Sequence, residues 1–212
     1  MACVQRYAHL ARVEVSRLRY DVWIAGVGGQ GTILASRILA AAAILRDEFA
    51  RTGETIGMSQ RGGCVVSNVR LGGERVSPYI PTAQSDLILG FELAETARNM
   101  PKLKPSGAVV VNTQKIKPVS LSLGVGSYDE EVLAAYIRQN CKRALFIDGY
   151  DLAVAAGSAK AVNIVLLGAA CGAGLLPFSR EELEQTVKET VAPRFVEMNL
   201  KAFASGFAAG EA

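Results

Sequence analysis

The chain is short of the residues on which most acid–base and metal chemistry depends. Its 212 residues include one histidine, His9, and four cysteines, Cys3, Cys64, Cys141 and Cys171. The cysteines lie far apart, with no C-x-x-C pair and no histidine beside them. That spacing argues against a zinc or iron–sulfur centre held by this chain, and for reduced thiols in a cytoplasmic protein. A single histidine near the N-terminus argues against chemistry that needs an imidazole base. Charge of one sign is missing too: the formal net charge is only +3, with Lys and Arg scattered, so nothing asks for nucleic acid. Long apolar runs are also scarce. The 18 residues Ala161–Phe178 carry no charge and reach the lower length limit for a membrane span, but they hold Asn163, three glycines and Pro177. They read as a buried helix running into a loop, and no membrane partner is expected. The first 19 residues mix four arginines with small apolar residues and lack the apolar core of a secretory signal.

What remains is ordinary globular material, half hydrophobic and one fifth charged. The expectation is an N-terminal extension over 1–19, one domain over 20–207 and a short tail over 208–212. The fold class read from the pattern is α/β, a three-layer α/β/α Rossmann-like domain whose mostly parallel sheet includes an antiparallel hairpin.

The organising stretch is Tyr20–Leu45. Val22–Ala25 reads as a buried strand, Gly26-Val27-Gly28-Gly29-Gln30-Gly31 as a turn, and the Ala/Leu-rich run from Thr32 as a helix. Glycines there permit a sharp turn and bring N–H groups at a helix start close to an anionic ligand. Tight strand-to-helix packing favours the same glycines, so the motif alone leaves both readings open. A dinucleotide site would also need an acid about 20 residues on, at the end of a second strand. Asp47 and Glu48 come too early, and no apolar strand precedes Glu54.

A second unusual segment follows at Thr55–Gly63, TIGMSQRGG. An arginine beside glycines suits a carboxylate or phosphate, because its planar fork binds in a bidentate way. Read in isolation, Arg61 is as simply a hairpin lead-in with a local ion pair. Cys64–Leu71 alternates like a strand, and Gly72-Gly73 predicts a hairpin turn. Further strands are expected at Asp86–Gly90, Ala108–Asn112 and Leu145–Asp148, with short pieces at Lys115–Pro118 (turn) and Leu121–Leu123 (strand). Asn112 and Thr113 fall at a strand's carboxyl end, where open sheets bind ligands. Helices are expected over Phe91–Met100, from a capping box at Ser127–Glu130 to about Lys142, over Ala161–Cys171, from a second box at Ser179–Glu182, and from Pro193. Asp151–Gly157 reads as a connecting segment. Val196, Leu200, Phe203 and Phe207 supply the last helix with an apolar face.

Taken in order, GVGGQG, GMSQRGG, VVVNTQKI, AVNIVLLGA and FVEMNLKAF resemble the gamma-type subunits of the 2-oxoacid:ferredoxin oxidoreductases, the indolepyruvate-type branch in particular. The resemblance runs from Asp21 to about Phe207. It departs at Ile56, where the family usually places a histidine before Gly57, so any role of that imidazole is absent or done otherwise. The resemblance implies a complex that decarboxylates an aryl 2-oxoacid, passes the acyl group to coenzyme A and reduces ferredoxin. It also implies that thiamine diphosphate, Mg and the iron–sulfur clusters reside in a larger alpha subunit, this chain binding none of them alone. On that footing Arg61, Gln60 and Ser59 are the candidate catalytic residues. Gly26, Gly28, Gly29, Gln30, Gly31, Gly62, Gly63 and Asn112 are the candidates for holding a cofactor or co-substrate. The expected arrangement has the two glycine-rich loops meeting at one sheet edge. The readings left beside it are a purely structural subunit of such a complex and a free-standing Rossmann-type nucleotide-binding protein.

Overall fold

The computed structural model describes residues 18–57, 63–73, 77–114 and 128–212. Six strands form one sheet: β1 (Tyr20–Val27), β2 (Ala50–Ile56), β3 (Cys64–Leu71), β4 (Ser85–Gly90), β5 (Leu103–Asn112) and β6 (Ala144–Ile147). Among the described residues seven α-helices surround it: α1 (Thr32–Ile44), α2 (Leu93–Asn99), α3 (Glu130–Asn140), α4 (Gly149–Ala156), α5 (Val162–Gly172), α6 (Arg180–Thr190) and α7 (Val196–Glu211). The last helix therefore continues through the residues expected to form a tail.

The strand order is β2-β3-β1-β4-β5-β6. β1, β4, β5 and β6 run parallel, while β3 pairs antiparallel with both β1 and β2. In the middle of the sheet Val22 stands between Val69 and Leu87. The strands there are apolar almost continuously because both faces are covered, as a parallel sheet requires. On one face Val22, Ile24, Leu87, Leu89 and Val110 meet Ile38 and Leu39 of α1, Ile164 of α5 and Phe203 of α7. On the other, Trp23, Ala25, Ile88, Val109 and Val111 meet Leu93 of α2 and Ile137 of α3. The α/β expectation, three layers about a mostly parallel sheet, holds.

Several local expectations differ. The polar stretch before Glu54 carries a strand, β2, at the edge of the sheet, where it pairs with β3 alone and exposes Arg51, Thr55 and Ile56. An edge strand half in water needs no apolar run. The antiparallel partners of β3 are β2 and β1, so the β2–β3 hairpin closes through 57–63 rather than at Gly72-Gly73. Those two glycines do take left-handed conformations, and Gly72 donates its N–H to the Phe49 carbonyl. The supposed connector Asp151–Gly157 is largely helical, within α4, started by the Asp148 side chain accepting from the Asp151 N–H. α3 is capped by Asp129, whose carboxylate accepts from Glu131 and Val132 N–H groups; Ser127 lies outside the described residues, as do Lys115–Pro118 and Leu121–Leu123. The capping box at Ser179–Glu182 is present with both reciprocal bonds.

Ala161–Phe178 is core, with all of Val162–Cys171 buried. No helix among the described residues is long and apolar enough to cross a membrane. The face that α7 buries is Asn199, Ala202, Phe203 and Gly206, a quarter-turn from the expected stripe. The reason is a close contact with α5. A Cβ on Gly206 would lie 2.0 Å from the Val165 carbonyl oxygen, and one on Gly168 2.2 Å from that of Phe203. Small residues, not large apolar ones, set the facing side.

Candidate functional site

The chain leaves β1 through α1 on one face of the sheet and leaves β4 through α2 on the other. The carboxyl ends of these neighbouring strands therefore form the crevice where open α/β sheets bind ligands. The glycine turn sits here. Val27 ends β1, Gly31 takes φ +81° as the N-cap of α1, and no side chain caps that helix. A left-handed N-cap is a conformation glycine supplies without strain.

The turn is held from three directions. Gln30 folds back so that its Oε1 accepts from the Val27 N–H at 2.8 Å and its Nε2 donates to the Phe91 carbonyl at 2.9 Å. It thus ties the ends of β1 and β4 together. Asn112, fully buried at the end of β5, donates from Nδ2 to the same Phe91 carbonyl at 3.2 Å and accepts the Gly149 N–H at 3.1 Å. Asn163, 2% exposed on the first turn of α5, donates to the Gly31 carbonyl at 3.3 Å. A Cβ on Gly31 would approach Asn163 Nδ2 to 2.6 Å, and one on Gly26 would approach Gln30 Oε1 to 2.7 Å and Phe91 Cβ to 2.9 Å. At Gly26 and Gly31, then, the empty side is filled by the protein's own groups. Gly29 has no atom of the described residues within 4 Å of its Cβ position.

The other glycine segment meets this turn. The Gly28 N–H donates to the Gly63 carbonyl at 2.9 Å, while Gly57 donates to the Cys64 carbonyl at 2.9 Å. Both feet of the 57–63 connection are therefore anchored at the carboxyl end of β1. Ser59, Gln60, Arg61 and Gly62 lie outside the described residues. The candidates that are described, Gly26, Gly28, Gly29, Gln30, Gly31, Gly63 and Asn112, all fall at this end of the sheet. Thr113 turns its N–H and hydroxyl toward the Ile147 carbonyl. Glu54 accepts from Ser36 of α1 on the edge strand, far from the post a ribose-binding acid would hold.

A buried acidic group lies at the same end. Glu92, 1% exposed, caps α2 by accepting from the Glu95 N–H, and its other oxygen accepts the Tyr128 hydroxyl. Both contacts satisfy the carboxylate, whose charge complements the start of the helix. Glu95 pairs with Arg98 through Oε1. Burial pushes the Cys64 thiol up to about 11, and the nearby charge of Glu95 adds to the rise while Arg98 opposes it. Cys64 is thus a neutral thiol at ordinary pH, no nucleophile. Burial, followed by the Glu92 bond, likewise raises Tyr128 well above the usual phenol value. Among the described residues no group of three His, Cys, Asp or Glu side chains could hold a metal ion. Asn163 was legible only as a polar interruption in an apolar helix, and no spacing links it to a turn 132 residues away.

An α/β sheet with a glycine turn at the carboxyl end of a central strand defines a Rossmann-like domain. The sequence profile described as pyruvate ferredoxin/flavodoxin oxidoreductase matches residues 21–209, and the chain belongs to that family. It is 36% identical over 191 residues to the indolepyruvate oxidoreductase subunit IorB of Archaeoglobus fulgidus, covering 90% of this chain and 94% of that one. It is 31% identical over 185 residues to the common gamma subunit of the pyruvate/ketoisovalerate oxidoreductases of Pyrococcus abyssi, covering 86% and 92%. Among solved structures it is similar to the gamma subunit of a keto/oxoacid ferredoxin oxidoreductase from Geobacter sulfurreducens, with TM-score 0.66, 28% identity and coverage of 91% and 99%.

Proposed function

We propose that this chain is the small, non-redox subunit of a 2-oxoacid:ferredoxin oxidoreductase acting on an aryl 2-oxoacid of the indolepyruvate type. In this reading a larger partner carries thiamine diphosphate, Mg and the iron–sulfur clusters, which supply the carbanion and electron chemistry. This chain closes the substrate or coenzyme A side of the shared cavity. A 2-oxoacid brings a carboxylate and coenzyme A brings phosphates. Arg61, with glycine N–H groups and the neutral donors Ser59 and Gln60, suits either anion.

The observation that carries the reading is the bond from the Gly28 N–H to the Gly63 carbonyl. It fastens Gly63, the last residue of the SQRGG segment, beside the glycine turn, which supports a shared role for the two glycine-rich stretches. Reconstitution tests it. With the larger chain present, indolepyruvate is expected to reduce ferredoxin only when coenzyme A is added, and the 22.5 kDa chain alone is expected to be inactive. Equal activity of the larger chain without this one would overturn the reading.

A purely structural role has one specific observation in its favour. Gly26 and Gly31 are explained by contact with Gln30, Phe91 and Asn163. Against a free-standing nucleotide-binding protein stands the Gly28 N–H, which lies at the glycine position that approaches pyrophosphate in a dinucleotide turn and here donates to the Gly63 carbonyl. Titration of the isolated chain with NAD or FAD is expected to show no tight binding.

A further inference from the structure

Three carboxamide side chains, from segments far apart in sequence, converge on the carboxyl end of the sheet and share a way of bonding. Each spends its amide on backbone. Gln30 bridges the Val27 N–H and the Phe91 carbonyl; Asn112 bridges the Phe91 carbonyl and the Gly149 N–H; Asn163 reaches the Gly31 carbonyl. The Phe91 carbonyl is the common point, accepting from both Gln30 and Asn112, while the Phe91 N–H donates back to the Ala25 carbonyl of β1 at 2.7 Å. The ends of β1, β4 and β5 and the starts of α1, α4 and α5 are so joined by hydrogen bonds rather than by apolar packing alone.

We propose that Asn163 and Gln30 are positioning residues that hold the glycine turn, and through the Gly28–Gly63 bond the start of β3, in register for the reaction; this rests on the functional reading above. The amides are suited to the task because they fix direction. Each carboxamide offers donors and an acceptor in one plane, and a buried carboxamide that loses a partner is left unsatisfied. An apolar residue of similar size would fill the space without fixing the turn's orientation. Asn163 matters most, since it is the only one of the three contributed by the second half of the domain to the turn itself. Its amide lies against Gly31, where a Cβ would come within 2.6 Å. The Gly31 carbonyl also accepts the Ala35 N–H at 3.1 Å, so α1's first turn and α5's first turn are locked to one atom.

The test uses Asn163→Ala in the reconstituted two-chain enzyme, with Asn163→Gln to probe rescue. Because a misplaced active-site group costs heavily, kcat is expected to fall about tenfold or more, with KM for the 2-oxoacid and coenzyme A within about twofold. Subunit association and Tm should stay near wild type. Amide hydrogen exchange at Gly28 should accelerate, because its bond to Gly63 depends on the turn. Asn163→Gln should recover part of kcat. An unchanged kcat per assembled complex, or a loss of kcat that merely tracks a fall in Tm, would overturn the proposal. If the wild-type complex reduces no ferredoxin, the functional reading fails by itself. The Gly28 exchange rate then decides: acceleration supports the clamp, and an unchanged rate removes it.

Discussion

At the α5–α7 contact, glycines face backbone; at the β1–α1 turn, they face side chains. Between the helices, Cβ atoms on Gly168, Gly172, Gly206 and Gly210 would lie 2.0–2.2 Å from the carbonyl oxygens of Phe203, Phe207, Val165 and Ala169. Each pair is spaced four residues apart, so the glycines stack on one helix face and form a flat strip. Opposed strips bring the two backbones close enough for Cα–H···O contacts. In the turn, the nearest atoms to Gly26 and Gly31 are the carboxamides of Gln30 and Asn163 and the side chain of Phe91. One arrangement is apolar, buried and indifferent to chemistry. The other is polar, sits at the carboxyl end of the sheet, and leaves no described atom within 4 Å of a Cβ on Gly29. The same residue type thus marks helix packing in one place and a candidate site in the other, and what lies opposite it tells the two apart.

The sharpest break between the two regions comes from Gly206→Val. Its side chain would collide with a carbonyl of α5, and overpacking of this severity costs about 3 kcal/mol or more. For a domain of this size that corresponds to a Tm lower by roughly 6–12 °C. Thermal unfolding measures it, and the molecules that remain folded should support normal turnover once assembled. A variant as stable as wild type would mean that the helices separate readily and the close contact carries little.

A smaller effect separates the cysteines. Cys64 borders the turn region and is partly exposed, whereas Cys171 is buried under Phe178; both thiols are raised to about 11 by burial. A raised pKa keeps the thiol protonated, so at pH 8 the thiolate fraction is about a hundredfold below that of an ordinary cysteine. Iodoacetamide labelling of Cys64, followed by mass spectrometry, should therefore climb with pH until near 11 and precede labelling of Cys171. Removing the Glu95 charge in Glu95→Gln should shift the Cys64 profile to lower pH. A midpoint near 9 in the wild type would show that neither burial nor Glu95 acts on the thiol.

The division also explains what the residues disclosed in advance. Val22–Ala25, Asp86–Gly90 and Ala108–Asn112 were legible as central strands because strands covered on both faces are apolar without interruption. Ser179–Glu182 was legible because a capping box is local chemistry. β2 was not, since an edge strand such as ARTGETI carries no apolar signature. α4 was missed because eight residues beginning Gly-Tyr-Asp are too short for a clear period. The α5–α7 contact depends on complementarity between segments about 40 residues apart, although the four-residue spacing of Gly168/Gly172 and of Gly206/Gly210 was there to be read. At the site, the glycine turn and Asn112 could be found from their place after strands. Asn163 could not, because its partner is a carbonyl rather than a motif.

Arg61→Ala in the reconstituted enzyme tests most directly whether the SQRGG segment serves chemistry while the glycine strip serves folding. Loss of a charge-assisted bond worth about 1.5–3 kcal/mol should lower turnover by roughly ten- to a hundredfold, with Tm and subunit assembly unchanged. Wild-type turnover in that variant would contradict the account.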